Sequence, residues 1–519
     1  MKVLFIYPNY QGYARVPLGL SIPMTVLMEA GHEVGLFDTT FILSSINTDN
    51  EAREAAGLVK PTDTSHFFTP HSPEEVDEML RQKIRDFNPD LVGISILEDN
   101  YEYSDRLLKV LKELKPDLPV IAGGTTPTVA PDVLIKNPGI DYLIRGEGEW
   151  ALRDFCEKFE KGESLEKVNN LVYLRDDGMV VSNPLGPFLN LDDLPPQNLD
   201  LWDDGHFVKA YDGGLYKTGF FEMSRGCMLK CTYCVNVTYQ DIFEDSGRYF
   251  RVKSVEKAVE EIKLLKEKYG FERIFFCDDN FLSMPKIRFD AFVDVWQKEV
   301  GLPFWMNTTI EAIGSNRDRI ERLKEVGCCG IGLGLETGSD WFRRNILHKR
   351  IKNDRIYKTV SILHDFGYRT TANIMIGFPG EYLYDIYQSI QFVKEIEAKS
   401  CDVTFVAPYY ATPIFKVAKK MGLIDVWEDR PGFNGMAQHI GMRQGPQINI
   451  PTISKDKLNE IYLTFMDYVE GKIEVPAKYI QLDESEPMIE SRKSVLKTFR
   501  DLFLNPAWLT KEGVEERYL

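Results

Sequence analysis

Three thiols fall close together at Cys227, Cys231 and Cys234, in the segment Ser224-Arg225-Gly226-Cys227-Met228-Leu229-Lys230-Cys231-Thr232-Tyr233-Cys234. The C-x3-C-x2-C spacing lets one loop wrap one face of a cubane. Thiolates bind both zinc and iron-sulfur clusters, so spacing and ligand count decide between them. A zinc site recruits a fourth close Cys or His, usually from a second knuckle, and the sequence offers no such partner. Three protein ligands on a four-iron cluster leave one iron open, where the amino and carboxylate groups of a small ligand can chelate. An electron carrier prefers all four irons closed.

This segment resembles the signature of the radical S-adenosylmethionine (SAM) superfamily, and the resemblance covers residues 215 to about 415. It implies a [4Fe-4S] cluster on Cys227, Cys231 and Cys234, and reductive formation of a 5'-deoxyadenosyl radical from SAM, with Tyr233 packing near the adenine. Cys277-Asp278-Asp279-Asn280-Phe281 stands where many members carry Gly-Gly-Glu. The glycines are missing here, and Asp278 is the residue carried over to the SAM amino group. Glu336, at the end of a strand, corresponds to the family residue that binds the SAM ribose; a carboxylate capping the following helix is the alternative. Asn373 to Glu381 resembles the adenine-contacting strand, which assigns Ile376 and Gly377 to SAM. The adjacent Cys328 and Cys329 cannot easily face one cluster. Cys156, Cys277 and Cys401 read as small core residues, so no auxiliary cluster is expected. His348 lies among Arg343, Arg344, Lys349 and Arg350, a run that reads as a solvated face or a contact for a phosphate or carboxylate.

A second set of residues lies in the first 160 positions. Ser95 and Leu97 end one apolar run, and Gly123 and Gly124 end the next. They resemble the S-x-L and G-G elements of the cobalamin-binding domain, where glycines let the backbone lie against a bulky ligand. The third element of that pattern, D-x-H-x-x-G, is absent after the first strand, so no histidine there can ligate cobalt from below. Cobalamin-dependent radical SAM proteins share that absence, and Pro17-Leu18-Gly19 is typical of them. Gly146 and Glu147, within Arg145-Gly146-Glu147-Gly148-Glu149, suggest a loop at the cofactor edge; an acid-rich first helical turn fits equally well. No G-x-G-x-x-G follows the first strand and no P-loop occurs, which argues against nicotinamide and nucleoside triphosphates.

The elements that must position these residues follow from periodicity. Short apolar strands at 2 to 7, 32 to 38, 90 to 97, 119 to 124 and 141 to 146 alternate with helical patterns, which indicates a parallel, doubly wound α/β sheet with ligands at its carboxyl ends. Residues 1–165 therefore read as a Rossmann-like cobalamin-binding domain. Residues 166–214 read as a hairpin, with its turn at Asp176-Asp177-Gly178, and a Pro- and Asp-rich linker. From about 215 to 415 six further strand and helix units predict a partial (β/α)6 barrel. The helix from Ser254 to Tyr269 carries Val255, Ala258, Val259, Ile262 and Leu265 on one face, with a Ser cap and Gly270 as its stop. Residues 416–519 read as mostly helical.

At 519 residues, two or three domains are expected. A net charge of −17 excludes nucleic acid as the main partner. There is no apolar run long enough for a transmembrane segment and no leader pattern, which predicts a cytoplasmic protein. The joined halves imply a cobalamin-dependent radical SAM enzyme that methylates an unactivated carbon (or phosphorus) centre through a 5'-deoxyadenosyl radical and methylcobalamin. Its partners would be a small-molecule or peptide substrate and an electron donor such as flavodoxin or ferredoxin. Relatives with this domain order also cyclise or rearrange substrates without methyl transfer. A cobalamin-binding sensor or carrier without catalysis is the reading from another class.

Overall fold

The computed structural model describes residues 1–43, 48–175, 177–211, 213–426, 442–479 and 486–502. Two seven-stranded sheets carry the chain. The first is built from β1 (Lys2–Tyr7), β2 (Glu33–Asp38), β3 (Leu91–Ser95), β4 (Val120–Gly123), β5 (Tyr142–Ile144), β6 (Leu171–Leu174) and β7 (Val180–Ser182) in the order β2-β1-β3-β4-β5-β6-β7. Its first five strands are parallel, and β6 and β7 add an antiparallel hairpin at the edge. The expected hairpin thus extends the sheet; Asp176 of its turn lies outside the described residues.

Helix α1 (Leu18–Glu29) begins at Pro17, and its residues from Leu20 to Leu27 are all buried, which explains why it is apolar around its whole circumference. A later helix shows how local chemistry starts and stops such elements. Residues Pro73–Phe87 open on a capping box, with Ser72 N donating to Glu75 Oε2 at 2.8 Å and Glu75 N donating to Ser72 Oγ at 3.3 Å, and close on Asn88 in the left-handed region.

After β8 (Val208–Tyr211) the second sheet runs through β9 (Gly214–Phe221), and a short antiparallel pair, β10 (Ser224–Arg225) with β11 (Arg251–Val252), interrupts it. The sheet resumes with β12 (Arg273–Phe276), β13 (Phe304–Thr308), β14 (Cys328–Glu336), β15 (Arg369–Ile376) and β16 (Ser400–Phe405), in the order β16-β15-β14-β13-β12-β9-β8. The six strands from β9 to β16 are parallel and form the expected partial barrel, with β8 added antiparallel at one edge. Ile274 and Phe276 point outward, where Phe276 meets Phe292 and Trp296 of the covering helix at ring separations of 6.0 and 5.5 Å. Phe275 and Cys277 consequently point into the lumen. The helix Val255–Tyr269 has its Ser254 cap on Lys257 N at 3.2 Å and its left-handed Gly270 stop. Cys156, Cys328 and Cys401 are buried in the main core.

The two sheets are held together at several points. Gln197 of the linker accepts from Ser21 at 2.9 Å and donates to Phe220 O at 3.1 Å. Glu98, beyond the end of β3, accepts from Tyr410 N at 2.6 Å. Arg443 bridges Asp49 at 2.5 Å and Asp402 of β16 at 2.7 Å. Helices Pro413–Lys420, Lys455–Val469 and Glu486–Leu502 make the described C-terminal part helical. No described helix is long and apolar enough to cross a membrane.

Candidate functional site

The cysteine loop leaves the carboxyl end of β9. Gly226 makes the first turn with φ +86°, and a Cβ there would lie 2.7 Å from the Tyr249 carbonyl oxygen, so the position requires glycine. Gln240 then staples the loop by donating to the carbonyls of Cys227 at 2.8 Å and Leu229 at 3.1 Å. Thr232 Oγ1 donates to Ile346 O at 2.7 Å, and Cys234 precedes the helix Val235–Ile242. Burial pushes the Cys227 thiol up to about 11 and the Cys231 thiol up to about 12. Thiols so placed keep their protons unless a metal takes the charge. Among the described residues no three His, Cys, Asp or Glu side chains converge on a point for a single ion. The donor set fits a cluster in which each sulfur meets its own iron.

Across the mouth stands Glu336 at the end of β14. It holds φ +66°, a strained value for a residue with a side chain, and is buried. Its Oε1 accepts from Tyr233 Oη at 2.8 Å and from Lys349 Nζ at 2.8 Å. The following helix, Asp340–Asn345, is capped by Ser339 instead, whose Oγ accepts from Phe342 N at 3.3 Å. The Tyr233 ring also meets Phe378 edge-on at 6.4 Å, which joins the cysteine loop to the ends of β14 and β15. The basic run before residue 350 is not a solvated face throughout. Arg343 is fully buried and donates to Leu335 O at 3.2 Å, while Lys349 is buried against Glu336 and Gly334 O.

The two aspartates after β12 separate, as consecutive residues do in extended chain. Asp278 is buried and accepts from Met223 N at 3.1 Å and Ser224 Oγ at 2.5 Å, so it braces the start of the cysteine loop; burial pushes it up to about 7. Asp279 is the one on the open side, where it bears electrostatically on Cys227 and Cys234, with Asn236 and the Gly226 N–H beside it. The alternation along the strand was the available signal for it. Ile376 is buried, its carbonyl taken by Val406 N at 2.9 Å. Gly377, at φ +96°, donates to Glu381 Oε2 at 2.5 Å. Arg225 lay within the cysteine segment without an expected role, and Lys349 belonged to the run read as a solvated face or a contact for a phosphate or carboxylate; it meets the Glu336 carboxylate.

At the first sheet the strand order reverses between β1 and β3, and a hollow opens there, lined among others by Phe5, Gly19, Ser95, Gly123, Gly124 and Gly146. A Cβ at Gly19 or Gly123 would meet nothing within 4 Å. The cradle is one that side chains would fill, which fits a bulky ligand lying against backbone. Gly124, at φ +114°, approaches Ile96 O so closely that a Cβ would lie 2.7 Å away. Other expected contacts lie off this wall. Pro17 caps α1, Leu18 packs on Ile22, Leu191 and Leu194, and Leu97 is exposed with its N–H on Asn100 Oδ1 at 2.9 Å. Glu147 turns away from the cavity to Arg225 at 3.1 Å and Arg251 at 2.7 Å.

The sequence model of the radical SAM superfamily matches residues 221–393, and that of the B12 binding domain matches residues 63–155. The chain is a radical SAM protein with a B12-binding domain. An enzyme of this composition uses SAM, a [4Fe-4S] cluster and cobalamin. An uncharacterized methyltransferase of Pyrococcus horikoshii is 26% identical over 80% of this chain and 83% of its own. The anaerobic magnesium-protoporphyrin IX monomethyl ester cyclase of Rubrivivax gelatinosus is 22% identical over 80% of this chain and 70% of its own. Among solved structures, the radical SAM methyltransferase TsrM of Kitasatospora setae, with cobalamin and a [4Fe-4S] cluster bound, superposes on the radical SAM protein with a TM-score of 0.63 at 14% identity, covering 97% of this chain and 100% of that one. The cobalamin-dependent radical enzyme OxsB gives 0.64 at 14% identity, covering 98% and 73%. At such identity these two show the shared fold.

Proposed function

We propose that this radical SAM protein is a cobalamin-dependent methyltransferase acting on an unactivated carbon (or phosphorus) centre. The observation that carries the reading is that the two cofactor loops form one ion-paired unit. Glu147 follows Gly146 of the cavity wall, and its partner Arg225 stands two residues before Cys227. Bound there, the cluster supplies an electron to SAM and cobalamin supplies a methyl carrier. The chain's own part is to hold them. Cys227, Cys231 and Cys234 carry iron and leave a corner for SAM. Tyr233 and Lys349 fix the Glu336 carboxylate toward a ribose, and Asp279, rather than Asp278, is available to an ammonium group. Gly19, Gly123 and Gly124 admit cobalamin to the B12-binding domain.

The likeness to the Pyrococcus protein supports methyl transfer. The likeness to the Rubrivivax cyclase supports a second reading, oxidative cyclisation without methyl transfer. A small-molecule or peptide substrate, a flavodoxin- or ferredoxin-like electron donor and a cytoplasmic location belong to the same proposal. The test is an anaerobic incubation with reductant, methyl-labelled SAM and candidate substrates. Methyl transfer yields labelled product with deoxyadenosine and S-adenosylhomocysteine together. Deoxyadenosine without S-adenosylhomocysteine would select the cyclase reading.

A further inference from the structure

Two cations share one aromatic ring, and among the described residues neither has a counter-ion. Arg15, from the loop after β1, lies over the rings of Phe220 and Phe275 at 5.4 and 5.5 Å. Lys209, from β8, lies over the same Phe220 ring at 5.5 Å and over Tyr13 at 5.6 Å. Among the described residues neither makes a salt bridge. Arg15 has the neutral Cys277 thiol and Tyr13 hydroxyl in reach, and Arg15 is the one charged group that bears on Lys209. Both side chains are half-buried, so each still borders open space. Burial, followed by the Arg15 charge, pushes the Lys209 ammonium down to about 7. Holding like charges together away from bulk water is unfavourable; either Lys209 gives up its proton or an anion joins the pair and keeps both charges.

The place has a direction. Phe220 and Phe275 are register partners on neighbouring strands, and Phe275 faces the barrel lumen on the same side as Cys277. Arg15 comes from the B12-binding domain and Lys209 from the edge of the barrel sheet. Three strands, β9, β12 and β13, separate β8 from β14, where Glu336 and Lys349 stand. The pair therefore stands between the two cofactor-bearing domains and across the sheet from the expected ribose contact.

We propose that Arg15 and Lys209 form a receptor for an anionic group of the substrate, a carboxylate or phosphate, held over the Phe220 and Phe275 rings. That the anion belongs to a substrate rests on the enzymatic reading above; the receptor itself rests on the geometry.

The test uses protein loaded with cluster and cobalamin, in wild-type, Lys209→Met and Arg15→Gln forms. Thermal unfolding midpoints are recorded anaerobically in chloride, in acetate and in inorganic phosphate at matched ionic strength, which separates site binding from general salt effects. Lys209→Met, with one of two opposed cations removed, should melt above wild type in chloride by about 1–2 °C. Phosphate or acetate should raise the wild-type midpoint by a similar margin through linkage and leave both variants behind. Equal anion increments in all three proteins would overturn the receptor. Should Lys209→Met not accumulate as folded protein, Arg15→Gln carries the same comparison. Saturating SAM separates the two sources of carboxylate. An anion increment that persists beside SAM assigns the receptor to substrate, and one that SAM abolishes assigns it to the SAM carboxylate and overturns the proposal. Product analysis of the wild-type preparation judges the enzymatic reading on its own, because absent SAM cleavage would leave the anion increment standing.

Discussion

Glu147 Oε1 lies 3.1 Å from an Nη of Arg225, and the same carboxylate takes Arg251 at 2.7 Å. Burial works against the carboxylate, but the two guanidinium groups outweigh it and hold Glu147 below the usual range. Arg225 is further enclosed by Glu149 at 2.6 Å and Glu222 at 2.7 Å. The cluster loop and the cavity loop are thus parts of one electrostatic assembly.

Glu147→Gln should cost about 3 kcal/mol of stability, the range for breaking a buried ion pair from one side. In wild type this contribution is full above the ordinary carboxylate range and fades as pH falls through the depressed value. The variant should still take up iron and cobalamin. What should change is the magnetic interaction between the reduced cluster and cob(II)alamin in EPR spectra, which reports their separation. An unchanged interaction would show that the pair does not set the distance between the two domains.

Gly123→Val and Gly124→Val should fail differently. A side chain at Gly123 enters open cavity, so the protein should fold normally and lose cobalamin affinity by roughly tenfold or more, as overfilling a site by about 1–3 kcal/mol predicts. Gly124 combines φ +114° with a close backbone neighbour, so its variant should be destabilised even without cobalamin. Absorbance titration with hydroxocobalamin, beside thermal melts of the cobalamin-free proteins, separates the two effects.

Tyr233→Phe removes one of the two hydrogen bonds on Glu336 Oε1. Iron content should be unaffected and SAM binding weakened about fivefold, the worth of one hydrogen bond of about 1 kcal/mol. Glu336→Gln should be more damaging to the fold, because it leaves the Lys349 ammonium buried without its carboxylate. Titrating SAM against the EPR signal of the reduced cluster measures the first effect; calorimetric melting measures the second.

Glu381 makes a pH-dependent prediction. Its Oε2 accepts from the N–H groups of Gly377 at 2.5 Å and Phe378 at 3.0 Å, while burial, then Asp385, pushes the carboxyl up to about 8. The unfolded chain loses this proton near 4.5, its ordinary value. Between those values the native state holds the extra proton, so its stability must fall as pH rises and level off above about 8. Glu381→Gln keeps an acceptor for both N–H groups and has no such slope. Its melting midpoint relative to wild type should climb from pH 5 to pH 8; a constant difference would contradict the assignment.

How much of this was visible beforehand differs by residue. The cysteine triplet was legible because its three donors are close in sequence and one loop suffices to place them. Helix Val255–Tyr269 was legible with both ends, since its Ser cap and Gly stop are local. The roles of Asp278 and Asp279 were legible only in part: alternation after β12 puts the two carboxylates on opposite sides, but only the tertiary structure shows which one braces Ser224. Lys349 belonged to a basic run that read as a solvated face or a contact for a phosphate or carboxylate, and only the tertiary structure shows it buried on the Glu336 carboxylate.

The amino-acid order alone determined the chemistry of the ligands and the succession of a doubly wound sheet and a partial barrel, because metal-binding loops, caps and strand periodicity act over a few residues. Which groups meet was decided by the tertiary structure. Glu147 with Arg225, and Arg15 with Lys209, come from segments far apart in the chain, and no short-range rule relates them. Their meeting depends on how two sheets dock, and there burial turns ordinary surface residue types into strongly interacting charges.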